Sequence, residues 1–128
     1  MSALRQKILN VGLNQSLLKS RSAILEAAGY EVVSALNLLE VQAACEIHLP
    51  FDLVIIGQAL PKPEKRRAMG ALRRLCGTTP ILELYPHGTD PVDEQADDEL
   101  ADAGESNTLL TKVSEVLAKK RKRGRAAM

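Results

Sequence analysis

The stretch FDLVIIGQALP, residues 51–61, decides the fold expected for this chain. Its continuous apolar run, Leu53 to Ile56, is typical of a strand in a parallel sheet that helices cover on both faces. The run ends at Gly57, where such a strand would present a side chain at the edge of the sheet, and Leu60 and Pro61 then break the chain before a helix. A functional side chain is expected at position 57, and glycine has none.

Strands and helices alternate on both sides of this stretch. Three further strands are predicted, at Lys7 to Val11, Tyr30 to Ala35 and Pro80 to Tyr85. Helices are predicted from the polar residues Asn14 to Ser16 up to Gly29, from Leu38 to His48 behind an Asn37 cap, and from Pro61 up to Gly77. This alternation favours an α/β fold with a parallel sheet wrapped on both faces.

Arg21 interrupts the apolar face of the first helix. An arginine in that position usually lays its methylenes on the edge of the core and extends its guanidinium into water. We therefore expect Arg21 to be a surface residue of the helix.

The pattern loosens after Tyr85. Asp90 and Pro91 resemble a helix start, and Gly104 resembles a helix end. The apolar face of that predicted helix consists of Val92, Ala96, Leu100 and Ala103. A fifth strand is either absent or a degenerate piece around Glu99 to Asp102. A last helix is predicted behind Ser106, with an apolar face made of Leu109, Leu110, Val113, Val116 and Leu117.

Composition excludes several classes of function. The 128 residues are 45% apolar, enough for one domain with a real core, and the net charge is +1. The chain has one Phe, two Tyr and no Trp, so a base-stacking surface for single-stranded nucleic acid would be poor. No apolar run reaches the length of a signal peptide or membrane span, and we expect a cytoplasmic protein without membrane contact. Cys45 and Cys76 have no motif spacing and are expected to be separate, reduced core thiols.

Lys7 to Pro61 resembles the receiver domain of two-component response regulators, the CheY-like members of the flavodoxin-like fold. The motifs that carry the resemblance are KILNV, LLKSRSAILEAAGYEVV and FDLVIIGQALP, which match in order and spacing, and the last helix also fits. The resemblance implies a three-layer α/β/α sandwich with a parallel sheet of order 2-1-3-4(-5) and a degenerate region around the fourth helix and fifth strand. It covers most of the chain and fails mainly between Pro86 and Gly104. We expect a receiver-like domain over residues 1–118 and a basic tail over 119–128.

The same resemblance implies that the phosphorylation chemistry is gone. Receivers take a phosphoryl group on an aspartate after the third strand, beside an acidic pair that holds Mg²⁺ and a hydroxyl on the fourth strand. Those positions fall on Gly57, on Gly12 and Leu13, and on Tyr85. The family's lysine falls near Asp102 if the last helix is aligned, or on Lys112 if LLTKV is a strand; we favour the helix. Asp52, at the other end of the strand, is expected to be a structural acid.

We therefore predict a pseudo-receiver that is not an enzyme and needs no metal or cofactor. It would act by phosphorylation-independent protein–protein interaction in two-component-type signalling, with a signalling protein as partner and a homodimer as a further option. One alternative is a small ligand at the Gly12/Gly57 crevice. Another is nucleic acid or an acidic partner bound by two basic clusters, one at the third helix (Lys62, Lys65, Arg66, Arg67) and one in the tail (Lys119, Lys120, Arg121, Lys122, Arg123, Arg125).

Overall fold

The computed structural model describes residues 6–48, 50–57, 61–85, 97–101 and 106–126, and the side chains of 98–99, 101, 106 and 120–126 are not described. Five strands occur in these ranges: β1 (Lys7–Val11), β2 (Glu31–Ala35), β3 (Leu53–Ile56), β4 (Ile81–Tyr85) and β5 (Asp98–Ala101). Four helices occur in them: α1 (Gln15–Ala27), α2 (Leu38–Ile47), α3 (Lys62–Cys76) and α4 (Ser106–Ala126). None of the described helices is long and apolar enough to cross a membrane.

The strands form one parallel sheet in the order β2-β1-β3-β4-β5. This order confirms the predicted 2-1-3-4(-5) arrangement. The chain crosses over between β2 and β3, so the carboxyl ends of β1 and β3 lie side by side at the point where the strand order reverses. Crevices in open α/β sheets form at this point.

Side chains alternate along the central strands and divide the core into two layers. One layer lies between the sheet and the pair α2 and α3; it includes Leu9, Val11, Val54, Ile56 and Met69. The other lies between the sheet and the pair α1 and α4; it includes Ile8, Leu25, Leu53, Ile55 and Val113. A three-layer α/β/α sandwich results.

Local signals set the ends of the helices where the sequence predicts them. The Asn14 side chain accepts a hydrogen bond from the Leu17 N–H at 3.0 Å, and Asn37 does the same for the Glu40 N–H at 2.9 Å. Gly77 follows α3 with φ of 59°, a left-handed conformation that favours glycine. At the amino end of the sheet the Asp52 carboxylate accepts from the Lys7 N–H at 2.8 Å, as expected of a structural acid.

The placement of Leu100 in a helix is wrong, because Leu100 lies in β5 and packs against the α1/α4 core layer. Hydrogen bonds of Asp97 hold the start of this strand against β4. Asp97 accepts hydrogen bonds from the Ile81 N–H at 2.8 Å and from Arg73 Nη2 at 2.7 Å, and its own N–H donates to the Ile81 carbonyl at 2.8 Å. Pairing with the free edge of β4 thus outweighs the helical pattern. The other helix positions, Val92, Ala96 and Ala103, and Asp102 lie outside the described residues.

The carboxy-terminal helix follows the helical alternative rather than the strand. Lys112 lies within α4, where it is half-buried and 3.8 Å from the Glu115 carboxylate. The backbone of α4 stays helical past position 118 to Ala126. The division into a domain over 1–118 and a tail over 119–128 remains a prediction.

Candidate functional site

The crevice between the ends of β1 and β3 contains two glycines that face α1. Strand alternation turns residues 8, 10 and 12 of one strand and 53, 55 and 57 of the other toward α1. The backbone is held closely here, since the Gly57 N–H donates to the Val11 carbonyl at 2.7 Å and the Gly12 N–H donates to the Ala35 carbonyl at 3.1 Å. With neither side chain present, the space above both residues is open to a group from α1.

The Arg21 side chain fills that space. A Cβ atom on Gly57 would lie 3.0 Å from both Nη1 and Nη2 of Arg21, and a Cβ atom on Gly12 would lie 3.7 Å from Nη1. Arg21 is only 7% exposed, so the expectation of a surface arginine is wrong. The reason is that two glycines leave room for the guanidinium and a buried amide accepts a hydrogen bond from it.

Asn10 is that buried amide, and it holds the guanidinium in place. Arg21 Nη1 donates to Asn10 Oδ1 at 2.8 Å. The Asn10 amide nitrogen in turn donates to the Leu18 carbonyl at 3.1 Å and to Ser22 Oγ at 3.0 Å. Both ends of the fully buried Asn10 amide are therefore satisfied, and the orientation of Arg21 is fixed from the centre of β1.

The Arg21 guanidinium gives this site a positive charge. Burial lowers the pKa of the Arg21 guanidinium to about 10, so the group is protonated at neutral pH. In the described part of the chain no carboxylate forms an ion pair with it. Gly12, Leu13 and Gly57 supply no carboxylate to this end of the sheet, and the Arg21 guanidinium lies against both glycines.

These residues do not fit Mg²⁺. The ion needs hard oxygen ligands, and the two acidic-pair positions supply only a glycine and a leucine that is 45% exposed. A guanidinium above Gly57 adds positive charge where the ion would lie. In the described residues, moreover, no three His, Cys, Asp or Glu side chains are grouped as metal ligands.

Tyr85 ends β4 and is half-buried. None of the hydrogen bonds found among the described residues joins it to Arg21, Gly12 or Gly57. Of the four predicted pocket positions, Gly12 and Gly57 lie together against Arg21, whereas Leu13 lines a cavity with Leu38 and Arg67 on the α2/α3 side. The sequence did not predict that Arg21 and Asn10 lie in this crevice.

Lys65 was expected to contribute to a basic surface at the third helix, and this is wrong. It is 3% exposed, and its Nζ lies 3.0 Å from Glu83 Oε2 and 2.7 Å from the Leu84 carbonyl. Glu83 is fully buried on the α3 side of β4, where it attracts the ammonium inward. The exposed cations of this cluster are therefore Lys62, Arg66 and Arg67, of which Arg67 lies 3.6 Å from Glu64.

The tail cations are described only in part. Lys119 is exposed on α4. The side chains of Lys120, Arg121, Lys122, Arg123 and Arg125 lie outside the described residues, so a role for them in binding remains a prediction.

Cys45 and Cys76 are not separate, contrary to expectation. Their sulfurs lie 3.0 Å apart between α2 and α3, and both are free thiols. A separation of 31 residues, with no motif around either cysteine, gives no sequence signal for this contact.

Comparisons with known proteins agree on the fold. No protein-family model matches the chain, and no curated protein matches it. Among solved structures, a putative response regulator from Chloroflexus aurantiacus is 28% identical with a TM-score of 0.78, over 90% of this chain and 99% of that chain. The chemotaxis response regulator CheY4 of Vibrio cholerae is 28% identical with a TM-score of 0.74, over 88% and 99%. A CheY-like receiver domain protein from Methanospirillum hungatei is 24% identical with a TM-score of 0.79, over 94% and 99%.

Proposed function

We propose that this chain, which has the fold of CheY-like response regulator receiver domains, is a pseudo-receiver that acts without phosphorylation. In this role it binds a signalling protein in two-component-type regulation and is not an enzyme. The observation that carries the proposal is the Arg21 guanidinium lying above Gly57.

The chemistry of the crevice supports the loss of phosphorylation. Phosphoryl transfer to a receiver needs a carboxylate oxygen as nucleophile, and Gly57 supplies no side-chain atom. Asp52 cannot take over this role, because it lies at the amino end of the sheet and is bound to the Lys7 backbone.

The position of Arg21 distinguishes an altered site from one that has only lost its acceptor. A pocket emptied by mutation would retain space for an acceptor side chain, whereas here the guanidinium occupies that space and Asn10 anchors it. Burial of a charge is costly unless other groups compensate for it, and the Asn10 carbonyl oxygen accepts a hydrogen bond from this guanidinium. The crevice then has no acceptor side chain whose phosphorylation could switch it between two states.

A domain without a phosphorylation switch would be recognised by its partners through a surface that does not depend on phosphorylation. Leu39 and Ile47 of α2 are 74% and 72% exposed, on the same side of the helix. Exposed apolar side chains of this size support a protein-binding role. The proposal includes assembly as a homodimer as an option. It assigns neither the partner nor a dimer contact to particular residues.

A small-ligand role for the crevice is less well supported. Arg21 and Leu18 occupy the space next to both glycines. A cavity on the α2/α3 side, lined in part by Leu13, Leu38 and Arg67, has a volume of about 100 Å³. Pockets for small molecules usually measure about 300–1,000 Å³.

The test is phosphorylation itself. The protein is incubated with Mg²⁺ and a small phosphodonor such as acetyl phosphate, and its intact mass is measured without acid treatment, beside a receiver that retains its aspartate. We expect the control to gain a phosphoryl group and this chain to stay unmodified. An acid-labile adduct on any aspartate of this chain would refute the proposal.

A further inference from the structure

The two cysteines form a contact that the proposed function does not use. Cys45 lies on α2 and is 1% exposed, while Cys76 is the last residue of α3 and is half-buried. Their sulfur atoms are 3.0 Å apart. A disulfide bond is about 2.05 Å long, so a movement of about 1 Å brings these sulfurs to bonding distance.

We propose that Cys45 and Cys76 are a modification site, a dithiol that a low-molecular-weight disulfide oxidises to an intramolecular bridge between α2 and α3. The proposal rests on the packing of these two helices and is independent of the pseudo-receiver assignment. Neither sulfur lies in the Arg21 crevice.

The two thiols have different roles because they differ in exposure. Cys76 is the more accessible and reacts first: its thiolate attacks one sulfur of the small disulfide, whose S–S bond breaks and releases one thiol. Cys45 then loses its proton and attacks the Cys76 sulfur of the mixed disulfide. The second small thiol leaves, so the protein sulfurs lose two electrons in all and both thiol protons end on the released thiols.

The environment of Cys45 sets the slow step. Burial raises the pKa of the Cys45 thiol to about 12, and the hydrogen bond with Cys76 contributes in the same direction. Little Cys45 thiolate exists at neutral pH, and thiolate is the attacking form. Proximity counteracts this, since a sulfur held next to its target reacts at a high effective concentration. Bridge formation is expected to accelerate as the pH rises, because more of the attacking thiolate is then present.

The bridge would constrain the centre of the domain. It joins residues separated by 31 positions, and the closed loop contains β3 and Gly57. It would also fix α2, with exposed Leu39 and Ile47, relative to α3. The oxidised protein is expected to unfold at a higher temperature than the reduced protein, because a cross-link of this length restricts the unfolded chain.

The experiment uses the full chain and oxidised glutathione as the probe. Reduced protein is incubated with oxidised glutathione, quenched with a thiol-alkylating reagent and analysed by intact mass and non-reducing peptide mapping. The expected product has lost two hydrogens, carries no alkyl group or glutathione, and yields a peptide pair that joins Cys45 to Cys76. The wild-type protein alone decides the proposal, so the result does not depend on a variant that folds.

Two variants then check the order of the steps. Cys45→Ser should stop at a single glutathione adduct on Cys76, whereas in the wild type this adduct should form first and then convert to the bridge. Cys76→Ser should leave the buried Cys45 largely unmodified under the same conditions. Wild-type protein that stops at glutathione adducts, forms an intermolecular disulfide, or keeps both thiols free would overturn the proposal.

Discussion

Replacing Gly57 by aspartate restores the acceptor residue of a receiver and places it directly against Arg21. A Cβ atom at residue 57 would lie 3.0 Å from both Nη1 and Nη2 and 3.1 Å from the Val11 carbonyl oxygen. The φ angle of Gly57 is not in the left-handed region, so the cost of a side chain is one of space. The guanidinium is the end of a flexible side chain and can shift, whereas the backbone carbonyl is held by the sheet.

The charge of the new side chain then decides its effect on stability. Overpacking of this kind costs about 1–3 kcal/mol for aspartate and asparagine alike, since the two have nearly the same size. Only aspartate forms an ion pair with the guanidinium, whereas asparagine can at most accept a hydrogen bond from it. The advantage of aspartate is therefore at most about 1.5–3 kcal/mol. We expect Gly57→Asp to be close to wild type in its free energy of unfolding and Gly57→Asn to be less stable by up to that difference.

Urea unfolding of the two variants at neutral pH measures this difference. The advantage of aspartate should disappear at low pH, because a carboxyl group paired with arginine has a lowered pKa in the folded protein. Its contribution to stability is fully present above the unfolded-state pKa of about 4. It is lost as the pH falls through the lower pKa of the folded state. Equal stability of Gly57→Asp and Gly57→Asn at neutral pH would refute the position of the guanidinium.

The same variant tests the chemistry. Gly57→Asp should not be labelled by acetyl phosphate and Mg²⁺, because Arg21 neutralises the carboxylate and positions 12 and 13 supply no metal ligand. Efficient labelling of this single variant would show that the crevice can still hold the ion.

Three further predictions follow from buried and surface charges. In a double-mutant cycle, Asn10→Val and Arg21→Met should each destabilise by about 1–3 kcal/mol in urea unfolding, and the double variant should lose less than the sum by at least about 1 kcal/mol; additive losses would contradict the hydrogen bond between them. Lys65→Met should cost about 3–5 kcal/mol by leaving the Glu83 carboxylate without its ammonium, and Lys65→Met with Glu83→Met should recover most of this; a neutral single variant would contradict the ion pair. If the tail binds nucleic acid, binding measured by fluorescence anisotropy should weaken steeply with salt and vanish in a protein that ends at Ala118; binding that survives either change would exclude the tail as its source.

The strands and most helix ends follow from signals that are local in the sequence. The run of buried residues in β3 and the alternation of strands with amphipathic helices are sufficient for the fold class. Asn14, Asn37 and Gly77 are recognisable because the capping interaction of each lies within a few residues of it. The exception is β5, whose residues follow a helical pattern but pair with the edge of β4, a neighbour that is distant in sequence.

The contents of the crevice depend on contacts between elements, and the sequence shows them only indirectly. Arg21 is a single charge in the apolar face of α1, and Asn10 is a single amide in the apolar run of β1. Lys65 and Glu83 form a second pair of this kind, on α3 and β4. A polar residue inside a buried strand, together with a cation in the face of a neighbouring helix, is the signal that identifies such pairs.

The surroundings of the two glycines also depend on contacts between elements. The sequence indicates that Gly12 and Gly57 remove the side chains of an acceptor site, but it does not show what takes their place. That depends on the direction of the Arg21 side chain, which Asn10 fixes through a hydrogen bond across 11 residues. The structure shows that the Arg21 guanidinium lies against Gly57.

Backbone amide NMR with Mg²⁺ and beryllofluoride, a non-covalent mimic of the phosphoryl group, tests the central claim most directly. A pseudo-receiver whose crevice is held by Arg21 should show no saturable shift of the Gly12, Leu13 and Gly57 amides, and the Arg21 guanidinium signal should stay unchanged. Saturable, Mg²⁺-dependent shifts centred on these residues would contradict the account, because they would require a site that still accepts both the ion and the phosphoryl mimic.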